Sequence, residues 1–404
     1  MSTSILYHCF GIVGYNYLKS SYENGEMIFS IEHNSETLMC PDCGSTDVIR
    51  KGKYPRIIQT LPIGMKRVFI YLEVQRVECR ECSCIKQMKI GFANERNSYS
   101  RQLERFVIEL SYKMSVQDIS KYLGMGWDTV KEIHKRYLEK KYSKPVLKDL
   151  EMIAIDEIAV GQGHKYFTVV MDMATGAIVF TGDGKGSEAL EPFWKRLNRS
   201  RAQIKAVAVD MSPAYRKAIE KHLPEATIIY DHFHLVKAFN EKLSDFRRSM
   251  YSQMKDEEQK RVLKSTRWLL LKNPENLDDT KDESLRLEKA LEINKPLAIV
   301  YYMKEDLRQI WDQENKIEAE TKIMSWIEMA KCSGIRMLEK FAGTMKNHIK
   351  GILSWYDIKI STGPLEATNN KIKYILRQAF GFRDMEYFKL KIYAIHEAKY
   401  ALIG

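Results

Sequence analysis

The amino-acid sequence predicts a multidomain α+β protein. Three features carry that expectation: paired cysteines among short alternating strands, amphipathic helices broken by glycine, and a strand-helix alternation interrupted by a long helical run. At 404 residues the chain exceeds one ordinary core. Changes of pattern divide it into segments 1–95, 96–142, 150–238, 239–350 and 351–404. Lysine and arginine number 64 against 53 acidic residues, a formal charge of +11, which suits a polyanionic partner. A membrane is not that partner, because no apolar run approaches the roughly 20 residues a spanning helix needs. The start "MSTSILYHCF" also lacks a charged region followed by a long apolar one, so a cytoplasmic protein is expected.

Seven cysteines, an odd number, argue against a disulfide framework in such a compartment. Cys40, Cys43, Cys79, Cys82 and Cys84 lie close together in the first segment. The knuckles "CPDC" and "CREC" are joined by the strand-like "DVIRKGK", "RIIQT" and "KRVFIYLEVQRVE", with "LPIG" as a turn. That grammar describes a zinc ribbon, in which Cys40, Cys43, Cys79 and Cys82 close a tetrahedral site around one structural Zn2+, with Cys84 the alternative to Cys82. Ten Lys/Arg and three Glu lie from Arg50 to Lys89, so the ribbon face suits phosphates.

The second segment reads as a helix-turn-helix. Ser100 caps a first helix, Ser115 with Asp118 three residues on resembles a capping box, Gly124 ends that helix, and Gly126 permits a new start before Trp127. Trp127, Asp128, Thr129, Lys131, Glu132 and Lys135 would then face the major groove or the DNA backbone. Residues "KKYSKPVLKD" read as a linker.

Beyond the linker, "EMIAIDEIAV", "KYFTVVMDM" and "AIVFTG" form an expected antiparallel meander. "IKAVAVD" with the helix "SPAYRKAIEKHL" and "ATIIYD" with the helix "HFHLVKAFNEKL" follow. Three antiparallel strands followed by strand, helix, strand, helix is the order of a ribonuclease H-like α/β core. The run from Asp231 to Glu366 is longer than the next helix of that fold requires, and its helical periodicity marks an all-helical insertion.

Asp156, Asp210 and Asp231 each stand at a strand end. In the expected sheet the first and fourth strands are neighbours, about 4.8 Å apart, so Asp156 and Asp210 can share a metal while Asp231 lies one strand further out. Asp172 and Asp183 sit beside hairpin turns and read as turn residues. Two clustered carboxylates repel unless hard cations neutralise them, and a third carboxylate from a facing helix completes such a site. "STGPLEATNNKIKYILR" supplies the helix. Gly363 and Pro364 suit its start, yet the weak helix formers Asn369 and Asn370 sit just inside it. Glu366, Asn370, Lys373 and Arg377 share one face and Leu365, Ile372, Leu376 and Ala379 another. Glu366 would point at metals, with Asn370, Lys373 and Arg377 along the DNA backbone. The bland alternative is a Glu favouring the helix dipole ahead of solvated basic residues.

The sequence resembles the DDE transposases of bacterial insertion sequences, most closely the ISL-three group, over nearly its whole length. "CPDCGS" and "CREC" look like its zinc ribbon, "SVQDISKYLGMGWDTVKEI" its helix-turn-helix, and "AIDEIA", "VAVDMSPAY", "YDHFHLVK" and "GPLEATNNKIK" its acidic segments in order. The resemblance implies that Asp156, Asp210 and Glu366 are the catalytic triad and hold two Mg2+ or Mn2+ ions. It also implies that Lys373 lies against the transposon end and that Asp231 and His234, matching an Asp-x-x-His signature, are accessory. The expected partner is double-stranded DNA, both terminal inverted repeats and target, bound by a homo-oligomer of at least two chains. A structure-selective nuclease of the resolvase type, and a regulator with an inactive core, are the rival readings.

Overall fold

The computed structural model describes residues 4–34, 38–161, 163 and 165–396. Its chain divides into two units: Met1–Ser143 with Gln378–Lys391, and Lys144–Arg377 with Ile392–Gly404.

In the first unit a short helix α1 (Ile5–Phe10) precedes strands β1 (Tyr15–Glu23), β2 (Glu26–His33), β3 (Val48–Ile63), β4 (Lys66–Cys79) and β5 (Ile85–Gln87). They form one sheet in the order β1-β2-β4-β3, with β5 paired to β4. Alternation in "KRVFIYLEV" explains its core, since Val68, Ile70, Leu72 and Val74 are buried on one face of β4 while their neighbours are more open. The glycine turn at Gly64 joins β3 to β4 in a long antiparallel hairpin, so the strands that begin and end at the cysteine knuckles lie side by side. Three helices follow: α2 (Arg101–Ser111), α3 (Val116–Leu123) and α4 (Trp127–Tyr142). Ser100 caps α2 by accepting from the Leu103 N–H, and Ser115 caps α3 by accepting from the Asp118 N–H while its hydroxyl donates to the Asp118 carboxylate. Gly124 closes α3 at φ 63°, a left-handed conformation that glycine adopts without strain. The expected helix-turn-helix is therefore formed, around Leu103, Val107, Ile119, Val130 and Ile133.

The second unit is built on a sheet of β6 (Met152–Ala159), β7 (Tyr166–Asp172), β8 (Ile178–Asp183), β9 (Ala206–Val209) and β10 (Thr227–Tyr230), ordered β10-β9-β6-β7-β8. β6, β7 and β8 are antiparallel, whereas β9 and β10 run parallel to β6, which is the ribonuclease H-like arrangement. Near-continuous apolar strands fit a sheet covered on both faces. Helices α5 (Glu191–Ser200), α6 (Pro213–His222) and α7 (His232–Gln253) follow the strands. The insertion is all helical: α8 (Glu257–Ser265), α9 (Arg267–Leu271), α10 (Glu283–Ile293), α11 (Lys295–Arg308), α12 (Lys316–Cys332) and α13 (Arg336–Asp357), with short 3-10 turns between them. It shares one continuous core with the sheet, in which Phe239, Trp326 and Phe341 pack edge to face. α13 reaches β10 through Gly351, whose missing side chain leaves room for the Tyr230 ring. The last described helices are α14 (Gly363–Gln378), in this unit, and α15 (Met385–Tyr393), most of which belongs to the first. Asp172 behaves as a turn residue, accepting from the Ala174 N–H and the Thr175 hydroxyl.

Candidate functional site

The parallel pairing of β6 with β9 sets Ala154 opposite Ala208, so Asp156 and Asp210, each two residues further on, project from the same end of adjacent strands. Both carboxylates are partly buried, and burial pushes both pKa values above the usual carboxylate range. Asp210 raises Asp156 further, and Glu157 raises both, while His234 lies near enough to both to act in the opposite direction. Backbone N–H groups hold one oxygen of each: Glu157 N donates to Asp156 Oδ1 at 2.7 Å, and Ser212 N to Asp210 Oδ1 at 3.0 Å. Glu157 is itself tied down, accepting from the Tyr215 hydroxyl at 2.6 Å and the Gly186 N–H at 2.9 Å.

α14 carries Glu366, the third acid of the expected set. Asp231, buried at the end of β10, caps α7 through the Phe233 N–H and accepts from both the N–H and the hydroxyl of Thr362, just before α14. Asp231 therefore anchors the glutamate helix rather than joining the other two aspartates. On α14, Leu365, Asn369 and Ile372 are the buried residues. Asn369 Nδ2 donates to Asp156 Oδ2 at 2.7 Å. Glu366, three residues earlier, adjoins Asn369 on the helix surface and is partly exposed, with exposed Asn370 on its other side. Asn370, Lys373 and Arg377 are exposed. Asn369 stands out in the sequence as a weak helix former three residues after the glutamate, but the expected polar face holds Asn370 instead.

The donor set here consists of hard carboxylate oxygens, which fits a divalent cation such as Mg2+ or Mn2+. Asp156, Asp210 and Glu366 would hold it. Among the described residues, the group of three or more ligands drawn within 4.8 Å of one another is the cysteine cluster, and the three carboxylates are not gathered that closely.

That cluster is Cys40, Cys43, Cys79 and Cys82, the four expected ligands. Sulfur separations of 3.6 Å between Cys40 and Cys82 and 3.5 Å between Cys43 and Cys79 are those of thiolates around one tetrahedral zinc. Cys84 lies beside them as a fifth thiol, its sulfur 3.2 Å from that of Cys40.

On the helix-turn-helix, Trp127 is exposed at the start of α4 with Lys131 over its ring. Thr129 is partly exposed. Lys131 and Lys135, expected to meet DNA, both pair with Asp384 within this unit, at 2.8 and 3.0 Å. Burial alone would raise Asp384, but the two lysines and the Tyr387 N–H hold it well below the usual range. One turn along, buried His134 and Tyr387 share a hydrogen bond of 2.7 Å. No helix among the described residues is long and apolar enough to cross a membrane.

A zinc ribbon and a helix-turn-helix ahead of a ribonuclease H-like core, with aspartates paired on its first and fourth strands, define a DNA transposase. Known families match in the same order. They are a zinc finger of insertion-sequence transposases at residues 37–82, a helix-turn-helix domain of the transposase family ISL3 at 88–138, and a transposase domain at 153–392. The chain belongs to the ISL3 family of insertion-sequence transposases. The transposase for insertion sequence element IS1001 of Bordetella parapertussis is 33% identical over 367 residues, 90% of each chain. That for element IS1557 of Mycobacterium tuberculosis is 27% identical over 371 residues, 85% of this chain and 82% of its own. Among solved structures, the Drosophila P element transposase strand transfer complex aligns at a TM-score of 0.41 and 9% identity, covering 73% of this chain and 91% of that one.

Proposed function

We propose that this transposase grips the terminal inverted repeats of its element with the zinc ribbon and helix-turn-helix, and cuts and joins DNA at Asp156, Asp210 and Glu366. The observation that carries this reading is the pairing of Asp156 and Asp210 on adjacent parallel strands, with Asn369, one turn beyond Glu366, bonded to Asp156. Two divalent ions, Mg2+ or Mn2+, held by these carboxylates would neutralise their repulsion and supply charge for the attacking and leaving oxygens of a phosphodiester. Asp156 and Asp210 set the position of that charge, because backbone N–H groups fix their orientation. Hydrolysis breaks the bond from phosphorus to the 3′ oxygen and leaves a 3′-hydroxyl and a 5′-phosphate. The freed hydroxyl then attacks a target phosphodiester in line, and the target's own 3′-hydroxyl departs. Exposed Lys373 and Arg377 lie along the same helix to meet backbone phosphates, with Asn370 beside them. At least two copies of the chain would hold the two ends of the element, acting in the cytoplasm on chromosomal DNA.

The test supplies the full chain with a DNA duplex carrying one element end and, separately, with a pre-cut end and target DNA. Asp156→Asn, Asp210→Asn and Glu366→Gln should each lose cleavage and joining while still binding the end. Wild-type protein that cleaves but never joins would favour a structure-selective nuclease. Excision that survives all three substitutions would overturn the assignment of the acids.

A further inference from the structure

We propose that Asn369 is a positioning residue of the reaction site. It fixes the carboxylate of Asp156 in the orientation a metal ion requires and presents its own carbonyl oxygen to that ion's hydration shell. The inference rests on the reading of Asp156 and Asp210 as metal ligands.

Three observations support it. First, Asn369 is only 5% exposed and lies between Leu365 and Ile372, both fully buried, on the packing face of α14. Leucine would serve packing and helix formation better at such a place, so a polar amide there needs a polar reason. Secondly, that amide donates to Asp156 Oδ2 at 2.7 Å, while Oδ1 of the same carboxylate accepts from the Glu157 N–H at 2.7 Å. With both oxygens held, the carboxylate cannot rotate freely, and each oxygen keeps a lone pair for an ion. Thirdly, Asn369 Oδ1 is buried without a partner in the protein. Buried acceptors are rarely left unmade, and amide geometry keeps this one beside the nitrogen that touches Asp156. The donor it lacks is therefore sought at the acids. Magnesium retains several of its waters when protein carboxylates bind it, and such waters are donors. Partners that orient ligands in this way typically change metal affinity by about 10- to 100-fold when removed.

The experiment measures Mn2+ binding to the zinc-loaded full chain by electron paramagnetic resonance of the free ion, a readout independent of catalysis. Asn369→Leu keeps the branching at Cγ without the polar atoms and favours helix, Asn369→Ala removes the side chain beyond Cβ, and Asp156→Asn is the reference. Circular dichroism and binding to an element end report folding. The expected result is a folded Asn369→Leu protein that binds DNA normally and Mn2+ about 10- to 100-fold more weakly, with Asn369→Ala in agreement. Wild-type Mn2+ affinity in both Asn369 variants, alongside its loss in Asp156→Asn, would overturn the role of Asn369 and leave the acids intact. Wild-type affinity in Asp156→Asn would instead overturn the metal site itself, and this inference with it.

Discussion

Asp231 and Thr362 are bonded twice: the carboxylate at the end of β10 accepts from both the backbone N–H and the hydroxyl of the residue that leads into α14. A buried acid on the outer strand thus positions the helix that bears Glu366, although 131 residues separate the two partners in sequence. In the Asp-x-x-His segment Asp231 holds structure, while His234 lies near enough to the paired acids to lower their pKa values.

This contact should be visible in stability. Asp231→Asn leaves a donor facing donors in a buried place and is expected to cost about 1–3 kcal/mol, read from urea unfolding. The pH dependence has a definite sign. Burial would raise the Asp231 pKa, but hydrogen bonds from His232, Thr362 and the Phe233 N–H lower it to about 2. Its unfolded value is near 3.9. The stabilisation, on the order of 2 kcal/mol, is full above pH 4 and disappears as pH falls towards 2. The unfolding curves of wild type and Asp231→Asn should accordingly converge over that range. Parallel curves would show that the carboxylate charge contributes nothing.

Removing zinc should unfold the ribbon, because metal binding to thiolates is coupled directly to folding. Cys40→Ser or Cys79→Ser is expected to release about one zinc per chain and to expose the hairpin of β3 and β4 to protease. Cys84→Ser should keep its zinc, since four other cysteines already enclose the site. Zinc analysis of the three purified variants checks this, and loss of metal from Cys84→Ser would reassign the fourth ligand.

Asp384 pairs with both Lys131 and Lys135, the two helix-turn-helix lysines proposed to meet phosphates. Replacing it with alanine frees Lys131 and Lys135. Nonspecific DNA affinity at low salt should rise, and the slope of log affinity against log salt should steepen by about 0.9 for each phosphate newly met. Fluorescence anisotropy across a potassium chloride series measures the slope. An unchanged slope would mean that the lysines serve only to hold the segment around Asp384.

Gly351 is the close approach between α13 and β10. A side-chain carbon there would lie 2.4 Å from the Tyr230 ring, so Gly351→Ala must displace helix or ring. The expected cost is about 1–3 kcal/mol of unfolding free energy from overpacking, after allowing for a helix-propensity gain of about 1 kcal/mol. Combining it with Tyr230→Ala should cost less than the two changes added together.

By itself the amino-acid sequence determined the local grammar of this transposase. Cysteine pairs with two residues between them, serine caps, the glycine at φ 63°, alternation along β4 and acids at strand ends all act over a few positions, where covalent geometry leaves little choice. The strand order followed from the same reading, because a meander followed by strand-helix units has few ways to pack. Only the tertiary structure decided which distant side chains meet. It set Asn369 on Asp156, Thr362 on Asp231, and Asp384 on Lys131 and Lys135. It also left Asn370 in solvent while turning its neighbour inward. One helical position is a rotation of about 100°, so whether Asn369 or Asn370 faces the acids depends on how α14 seats against the sheet. That seating comes from burial of Leu365 and Ile372 and from the anchor at Asp231, contacts made between elements far apart in the chain.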